Sequence, residues 1–252
     1  MTEASRSEAE IREAAFRKFQ LGKFDPRRAV PAVSMSIGVD IAQVQALRAS
    51  LNHGLPPAGR VSLTHVLIKA AGATLASVPE LYAAFDGRRV VYSERIRINL
   101  PVAEGKHVEY VIIDSPQAKS LKEIAEDVRA EVERIREGRG SFFASLRASM
   151  RAPRFLSRAV GTLPSVRVRL FNESYGNFPI TNFGSFGVEG GVPALASPAI
   201  GALCLGKVKE GHPSILPLTL VFDHRCLDGS EGGRFLCALK GVLEGSAETL
   251  FD

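Results

Sequence analysis

Hydrophobic and polar positions along this chain follow two rhythms. In PAVSMSIGVD, Val33, Met35, Ile37 and Val39 alternate with small or polar residues, a period of two that predicts a half-buried strand. Asp40 then stands where a helix cap is expected, and Ile41, Val44, Leu47 and Leu51 share one helical face before HGLPPAGR breaks it. VSLTHVLIKAAGATLASV carries apolar and small residues nearly all round, which predicts a largely buried helix. RRVVYSERIRINLPVAEG and HVEYVIID return to the strand rhythm, with Ile96, Ile98, Leu100 and Val102 set against Arg95, Arg97 and Asn99. Ser120 and Glu123 form a capping box before a long helix striped by Leu121, Ile124, Val128, Val132 and Ile135, and Gly138 ends it.

Three more strand-like runs, NFPITNFGSFG, ALASPAIGALCLGKV and SILPLTLVFDH, are separated by Gly and Pro, and SEGGRFLCALKGVLEG closes the pattern as an amphipathic helix. The spacing is too irregular for a doubly wound sheet with a crossover helix each time, and no repeat is present. The class is α+β, a single domain over 1–252 whose residues 1–29 are expected to be a mobile helical arm.

No run approaches the ~20 apolar residues of a membrane span. The start, MTEASRSEAEIREAAF, carries acids and no apolar core, so it is not a secretory signal and a cytoplasmic location is expected. Cys204, Cys226 and Cys237 show no C-x-x-C and no His-rich companion, which argues against a metal site and against a disulfide framework. Cys226 has His224 and Arg225 beside it, yet a packing thiol is the simpler reading.

The net charge of +5 is concentrated. Arg147, Arg151, Arg154, Arg158, Arg167 and Arg169 lie between Gly140 and Asn172 with no acid among them, interleaved with Phe155, Leu156, Val160 and Leu163. A general nucleic-acid surface would spread or stripe its basic residues, so no nucleic-acid partner is expected. The segment 140–176 is basic and amphipathic, and it reads equally as a solvated helical hairpin or as a functional element. In the second case, 140–171 would meet a phosphorylated cofactor, an acidic partner or a membrane surface, or form a lid over a long acyl chain.

The candidate chemistry lies in FDHRCLDGSEGG, residues 222–233. A histidine at a strand-to-loop junction can act as a general base, since its ordinary pKa near ~6.5 lets it take a proton from a thiol or hydroxyl close to neutrality. Asp228, four residues beyond His224, could hold the turn or orient the ring, and Gly229, Gly232 and Gly233 would allow tight turning and close helix approach. Taken alone, a histidine beside a turn is more often structural. His53, His65, His107 and His212 have no metal partner and take that reading, and SEGGR lacks the G-K-[ST] of a phosphate loop.

LTLVFDHRCLDGSEGGRFLCALKGVLE resembles the C-terminal signature of the acyltransferase component of 2-oxoacid dehydrogenase complexes, D-H-R-x-x-D-G between a strand and a helix. PITNFGSFG is similar to that family's T-I-S-N-L-G-M-F-G, and SPAIGALCLGKV and VSLTHVLIKAAGATLASVPELYAAF match further segments, so residues 30–138 and 176–250 follow the pattern. The resemblance implies a fold like chloramphenicol acetyltransferase, an α/β two-layer sandwich with a mixed sheet and flanking helices. It also implies a homotrimer, with a possible larger assembly, and a catalytic site between subunits. It implies that His224 deprotonates the thiol of coenzyme A or dihydrolipoamide, that Thr181 hydrogen-bonds the oxyanion, and that Asp228 shapes the site.

Several positions depart from the family. Thr64-His65 replaces an Asn-Asp pair, Val30-Pro31-Ala32 replaces Ile-Pro-His, Pro179 replaces Thr, and EGKHVEYVI replaces PDGLITPVV. No lipoyl or subunit-binding domain precedes the matching region. The expectation is therefore a freestanding acyltransferase that uses acyl-coenzyme A and a small acceptor, with no metal and no covalently attached lipoyl group. The alternatives are a complex core served by a lipoyl domain on another chain, and a catalytically silent trimeric scaffold.

Overall fold

The computed structural model describes residues 8–23, 29–105, 107–151 and 164–245. In chain order the elements are α1 (Glu8–Lys23), β1 (Ala32–Asp40), α2 (Ala42–Leu51), α3 (Leu63–Leu75), β2 (Ala84–Phe85), β3 (Val90–Val91), β4 (Arg97–Glu104), β5 (His107–Asp114) and α4 (Leu121–Arg136). They continue with α5 (Ser141–Arg151), α6 (Pro164–Tyr175), β6 (Phe178–Asn182), β7 (Gly201–Leu205), β8 (Ile215–Asp223) and α7 (Gly229–Glu244). The main sheet has six strands in the order β1-β8-β7-β6-β4-β5, and β2 and β3 pair separately. It is mixed: β6 runs parallel to β7 and to β4, and the other neighbours are antiparallel.

Period-two patterning decides which face is covered. On β8, Leu216, Leu218, Leu220 and Phe222 are fully buried and join Leu203, Leu205, Ile180, Phe178, Ile98 and Leu100 in one core beneath helices α2, α3, α4 and α7. Burial of this kind contributes about 25 cal/mol per Å² of apolar surface and dominates the stability of such a layer. The predicted capping box of α4 is present: Glu123 N–H donates to Ser120 Oγ (3.2 Å) and Ser120 N–H to Glu123 Oε2 (2.8 Å). Helix α3 closes in the same way with a histidine in the glutamate's place, Ser62 N–H donating to His65 Nδ1 and His65 N–H to Ser62 Oγ, both at 3.2 Å. Asp40 ends β1 rather than serving as the helix cap; Ile41 takes that position, while the Asp40 carboxylate accepts from Ala42 N–H at 2.9 Å.

A second core covers the opposite face of the sheet at its β5 end. Tyr110, Phe142, Phe143, Tyr175, Ala15 and Phe16 are buried there, with Phe19, Val108, Ile112, Leu146 and Phe171 packed against them. The expectation of a mobile arm over residues 1–29 is therefore corrected over Glu8–Lys23: Phe16 and Phe19 share one face of α1, and Phe16 stacks on His107 with centroids 4.6 Å apart. The two ends of the basic segment are helical and dock through their aromatic residues, while Arg147 and Arg169 point outward. Residues 152–163, with Arg154 and Arg158, lie outside the described residues. No helix among the described residues is long and apolar enough to cross a membrane.

One acid sits at the margin of this second core. Glu109 is fully buried, neither carboxylate oxygen has a hydrogen-bond partner, and His107 Nε2 lies 3.6 Å from Oε1. Burial raises its pKa to about 7, with Glu104 and Glu131 adding repulsion and Arg12 opposing the rise. A carboxyl whose folded pKa exceeds its unfolded one stabilises the fold below the unfolded value and loses that contribution as pH rises through about 7. Glu109→Gln removes the ionisation, so its thermal midpoint is expected to match that of the parent near pH 5 and to exceed it at pH 8 by about 3–6 °C. Equal midpoints at both pH values in calorimetry would show that the acid is solvated.

Close packing of α7 on the sheet rests on one glycine. A Cβ at Gly232 would lie 2.8 Å from Phe222 Cε1 and 3.3 Å from Met35 Sδ, whereas nothing lies within 4 Å of one placed at Gly229. Gly232→Ala is expected to cost about 1–3 kcal/mol in urea denaturation. Gly229→Ala is expected to be neutral or to gain up to ~1 kcal/mol, because alanine loses less backbone entropy in a helix. Equal effects at the two positions would mean that α7 is not seated against β8 at Gly232.

Candidate active site

Strand β8 ends at Asp223, and the chain turns through His224, Arg225 and Cys226 before Asp228 opens α7. The turn closes on the Asp223 carbonyl, which accepts from Cys226 N–H (2.9 Å) and Leu227 N–H (3.2 Å). The Asp223 side chain is 1% exposed and accepts from Arg225 N–H (3.0 Å), Nε (2.9 Å) and Nη2 (2.6 Å). That hydrogen bonding raises the pKa of Arg225, whose guanidinium lies over the Phe85 ring at 4.6 Å.

His224 is anchored at both ends. Its N–H donates to Pro31 O at 3.0 Å, and its ring Nδ1 lies 2.9 Å from Leu227 O. A carbonyl oxygen can only accept, so Nδ1 carries a hydrogen, and in the neutral ring the lone pair is then on Nε2. The side chain is 50% exposed, which leaves Nε2 open to a reactant from outside the chain. The Asp228 carboxylate is 3.8 Å from Nδ1, beyond hydrogen-bonding distance, and the residue is the N-cap of α7, where Glu231 Oε2 accepts from its N–H at 2.7 Å.

Thr181 is not part of the same cluster. It pairs with Cys204 across β6 and β7, and Cys204 pairs with Thr219 across β7 and β8. Thr219 precedes Asp223 by four residues, ~13 Å of strand, and two strand spacings of ~4.8 Å put Thr181 ~16 Å from Asp223. Within one chain the hydroxyl and the imidazole cannot both touch one carbonyl group. Thr181 points away from the main core, since its strand neighbours Phe178 and Ile180 are fully buried on the other face, and it remains partly exposed.

Two supporting links have little sequence signal. Asn182 donates Nδ2–H to Thr64 Oγ1 at 3.1 Å and accepts Ser185 N–H at 2.9 Å, tying the loop after Thr181 to α3. Leu227 and Pro31 hold His224 only through main-chain oxygens, which no side-chain pattern reveals. The D-H-R triplet did hold a signal for the Asp223–Arg225 pair, acid and base two residues apart at a strand end. The remaining candidates are structural. Burial pushes the Cys226 thiol up to about 11, with Asp223 adding and Arg225 opposing. His65 falls to about 4 through burial first and then Arg129 and Arg48, so it serves as a neutral cap. Among the described residues no group of three or more His, Cys, Asp or Glu converges on a metal position.

The chain is 28% identical over 194 residues to the dihydrolipoyllysine-residue acetyltransferase component of the acetoin cleaving system of Bacillus subtilis, which covers 73% of this chain and 42% of that one. It spans less than half the length of the curated relatives it matches. Its fold superposes on a dihydrolipoamide acetyltransferase from Azotobacter vinelandii with a TM-score of 0.70 at 19% identity, covering 100% of this chain and 94% of that one. It also superposes on chloramphenicol acetyltransferase with a TM-score of 0.54 at 14% identity, covering 94% and 96%. The mixed sheet with flanking helices is thus the fold expected from the sequence. Residues 10–142 and 169–251 match the family of 2-oxoacid dehydrogenases acyltransferase (catalytic domain), and the chain belongs to it.

Proposed function

We propose that this domain transfers an acyl group between the thiol of coenzyme A and the thiol of a dihydrolipoyl group, at a site completed by a second copy of the chain. The observation that carries the reading is the His224 ring, half exposed, with Nδ1 on Leu227 O and Nε2 free. Nε2 takes the proton of the incoming thiol, and the thiolate adds to the thioester carbonyl. The oxyanion accepts a hydrogen bond from Thr181 Oγ1 of the other copy. Collapse expels the second thiolate, which recovers the proton from the imidazolium. One such oxyanion donor contributes about 2.7–4 kcal/mol in other enzymes.

Three observations support this assignment. Thr181 and His224 stand too far apart within one chain to share a carbonyl, which favours a second copy, and the resemblance implies a trimer with its sites between subunits. The mechanism of the Azotobacter vinelandii acetyltransferase has been investigated through a serine, a histidine and an asparagine four residues after the histidine, the spacing of His224 and Asp228. The relatives are named for dihydrolipoyllysine residues, which favours a lipoyl thiol as the acceptor. The freestanding enzyme with a small acceptor is the second reading. What favours it is the change at Thr64-His65, where a neutral imidazole capping α3 and the nearby Arg48 and Arg129 stand in place of an acid.

Transfer of acetyl from acetyl-coenzyme A to a lipoylated domain, followed by release of free thiol, tests both. His224→Ala is expected to abolish turnover, and Thr181→Ala to lower kcat by about 100- to 1000-fold while Thr181→Ser stays within about threefold. Co-assembling the His224→Ala and Thr181→Ala chains is expected to restore activity that neither has alone, because some interfaces then join an intact imidazole to an intact hydroxyl. No restoration in a proven mixed oligomer would rule out a shared site. Faster turnover with a small thiol or amine than with the lipoylated domain would favour the second reading.

A further inference from the structure

We propose that Asp223 is a positioning residue for His224: its buried carboxylate, through Arg225 and the turn they share, sets which imidazole nitrogen faces the reactant. The catalytic part of this proposal rests on the acyl-transfer reading; the part concerning the imidazole does not.

The chain of contacts is continuous. Asp223 ends β8 with its N–H on Ile200 O at 2.9 Å, so its backbone is fixed before the turn begins. Both carboxylate oxygens are engaged by Arg225; the carboxylate is 1% exposed, while the Arg225 side chain is 40% exposed, so solvent reaches one side of the pair only. Loss of Arg225 would leave the Asp223 carboxylate buried without its partner, whereas loss of the Asp223 charge leaves a guanidinium that solvent reaches. Arg225 in turn lies over Phe85, whose N–H donates to Pro198 O at 2.8 Å, two residues before Ile200. Side chain, ring and backbone therefore close a loop around the 198–200 segment.

The consequence falls on Leu227. Its N–H is held by the Asp223 carbonyl and its own carbonyl holds Nδ1 of His224, so the oxygen that selects the tautomer is referenced to Asp223. Asp228 cannot substitute, since its carboxylate is 3.8 Å from Nδ1 and 83% exposed. Without the Asp223 carboxylate, Arg225 keeps only its stack over Phe85 and its N–H loses the Oδ1 acceptor that shapes the turn, so Leu227 O confines the ring less tightly. An unconfined imidazole spreads between two tautomers and several rotamers, and only one combination presents a lone pair at Nε2 to a thiol.

Asp223→Asn tests this with the whole chain in its native oligomer. Imidazole nitrogens are read by ¹⁵N–¹H correlation of histidine-labelled protein, and transfer is read with acetyl-coenzyme A and a lipoylated domain. The expected result is a folded protein in which the His224 signal shifts from Nδ1–H toward a mixture of tautomers, with kcat down about 30- to 100-fold and KM for acetyl-coenzyme A within about threefold. A folded Asp223→Asn protein that retains the Nδ1–H signature of the parent would overturn the proposal, whatever its kcat. Should that variant not fold, Arg225→Lys decides by the same spectrum, since it keeps the positive charge and loses the fork and the stack over Phe85. Absence of transfer in the parent protein would sink the acyl-transfer reading and leave the spectroscopic test standing.

Discussion

The register of β8 is the constraint on which the rest depends. Nine residues of β1 pair with it on one side and five of β7 on the other, from Ala32 opposite Asp223 to Asp40 opposite Ile215. Its alternation buries Leu216, Leu218, Leu220 and Phe222 in the main core, so a slip by one residue would turn all four outward. That register delivers Asp223 to the end of the sheet and His224 to the first position free of the ladder. It also fixes Thr181 two strands away and most of a strand length back. A fold that pins both groups this rigidly cannot bring them together by bending, so any chemistry they share must cross between copies.

Two departures from the family pattern belong together in space. EGKHVEYVI supplies β5 with His107, Glu109 and Tyr110, and the unmatched stretch near 143–168 is flanked by helices α5 and α6, whose Phe142, Phe143 and Tyr175 cluster with Tyr110. Tyr110 stands 4.8 Å from the ring centroids of both Phe142 and Tyr175 in edge-on geometry, the arrangement that aromatic quadrupoles favour. The inserted helices thus complete a layer whose other side is α1. Glu109 marks where that layer is least comfortable: Gly140 passes so close to its carboxylate that a Cβ there would collide, leaving no room for a side chain to donate to it.

Local patterning made the main core legible. The β1 alternation, the Ser120–Glu123 box and the apolar stripe of α4 all sit in single segments, where period and cap chemistry speak directly. The second core was not legible, because its members come from segments near residues 16, 110, 142 and 175, which meet only in the folded chain, so the amphipathic face of 140–176 could be read but not its partner. Phe16 and Phe19 in EIREAAFRKF are a short pair of aromatics with no visible partner until β5 is placed beneath them. At the candidate site, the motif pointed to His224 and Asp228, but not to which atom holds the imidazole. That atom is Leu227 O, on the main chain, which lies nearer the ring than a carboxylate that the sequence makes conspicuous.

On the proposed reading His224 is a base, and a base held this way differs from one held by a carboxylate partner. A carboxylate on Nδ1 would favour the imidazolium and make the ring a stronger base, at the cost of charge buried at the site. A carbonyl fixes the same tautomer while adding only a dipole. For a thiol, which ionises far more readily than a hydroxyl, the weaker support is sufficient, because less driving force is needed to generate the nucleophile. Placing the ion pair one residue away, between Asp223 and Arg225, lets charge hold the turn without holding the ring. On the proposed reading, the chain thereby separates rigidity from basicity, and the oxyanion donor arrives with the second copy as a neutral hydroxyl. The site then develops charge only on the reacting groups themselves.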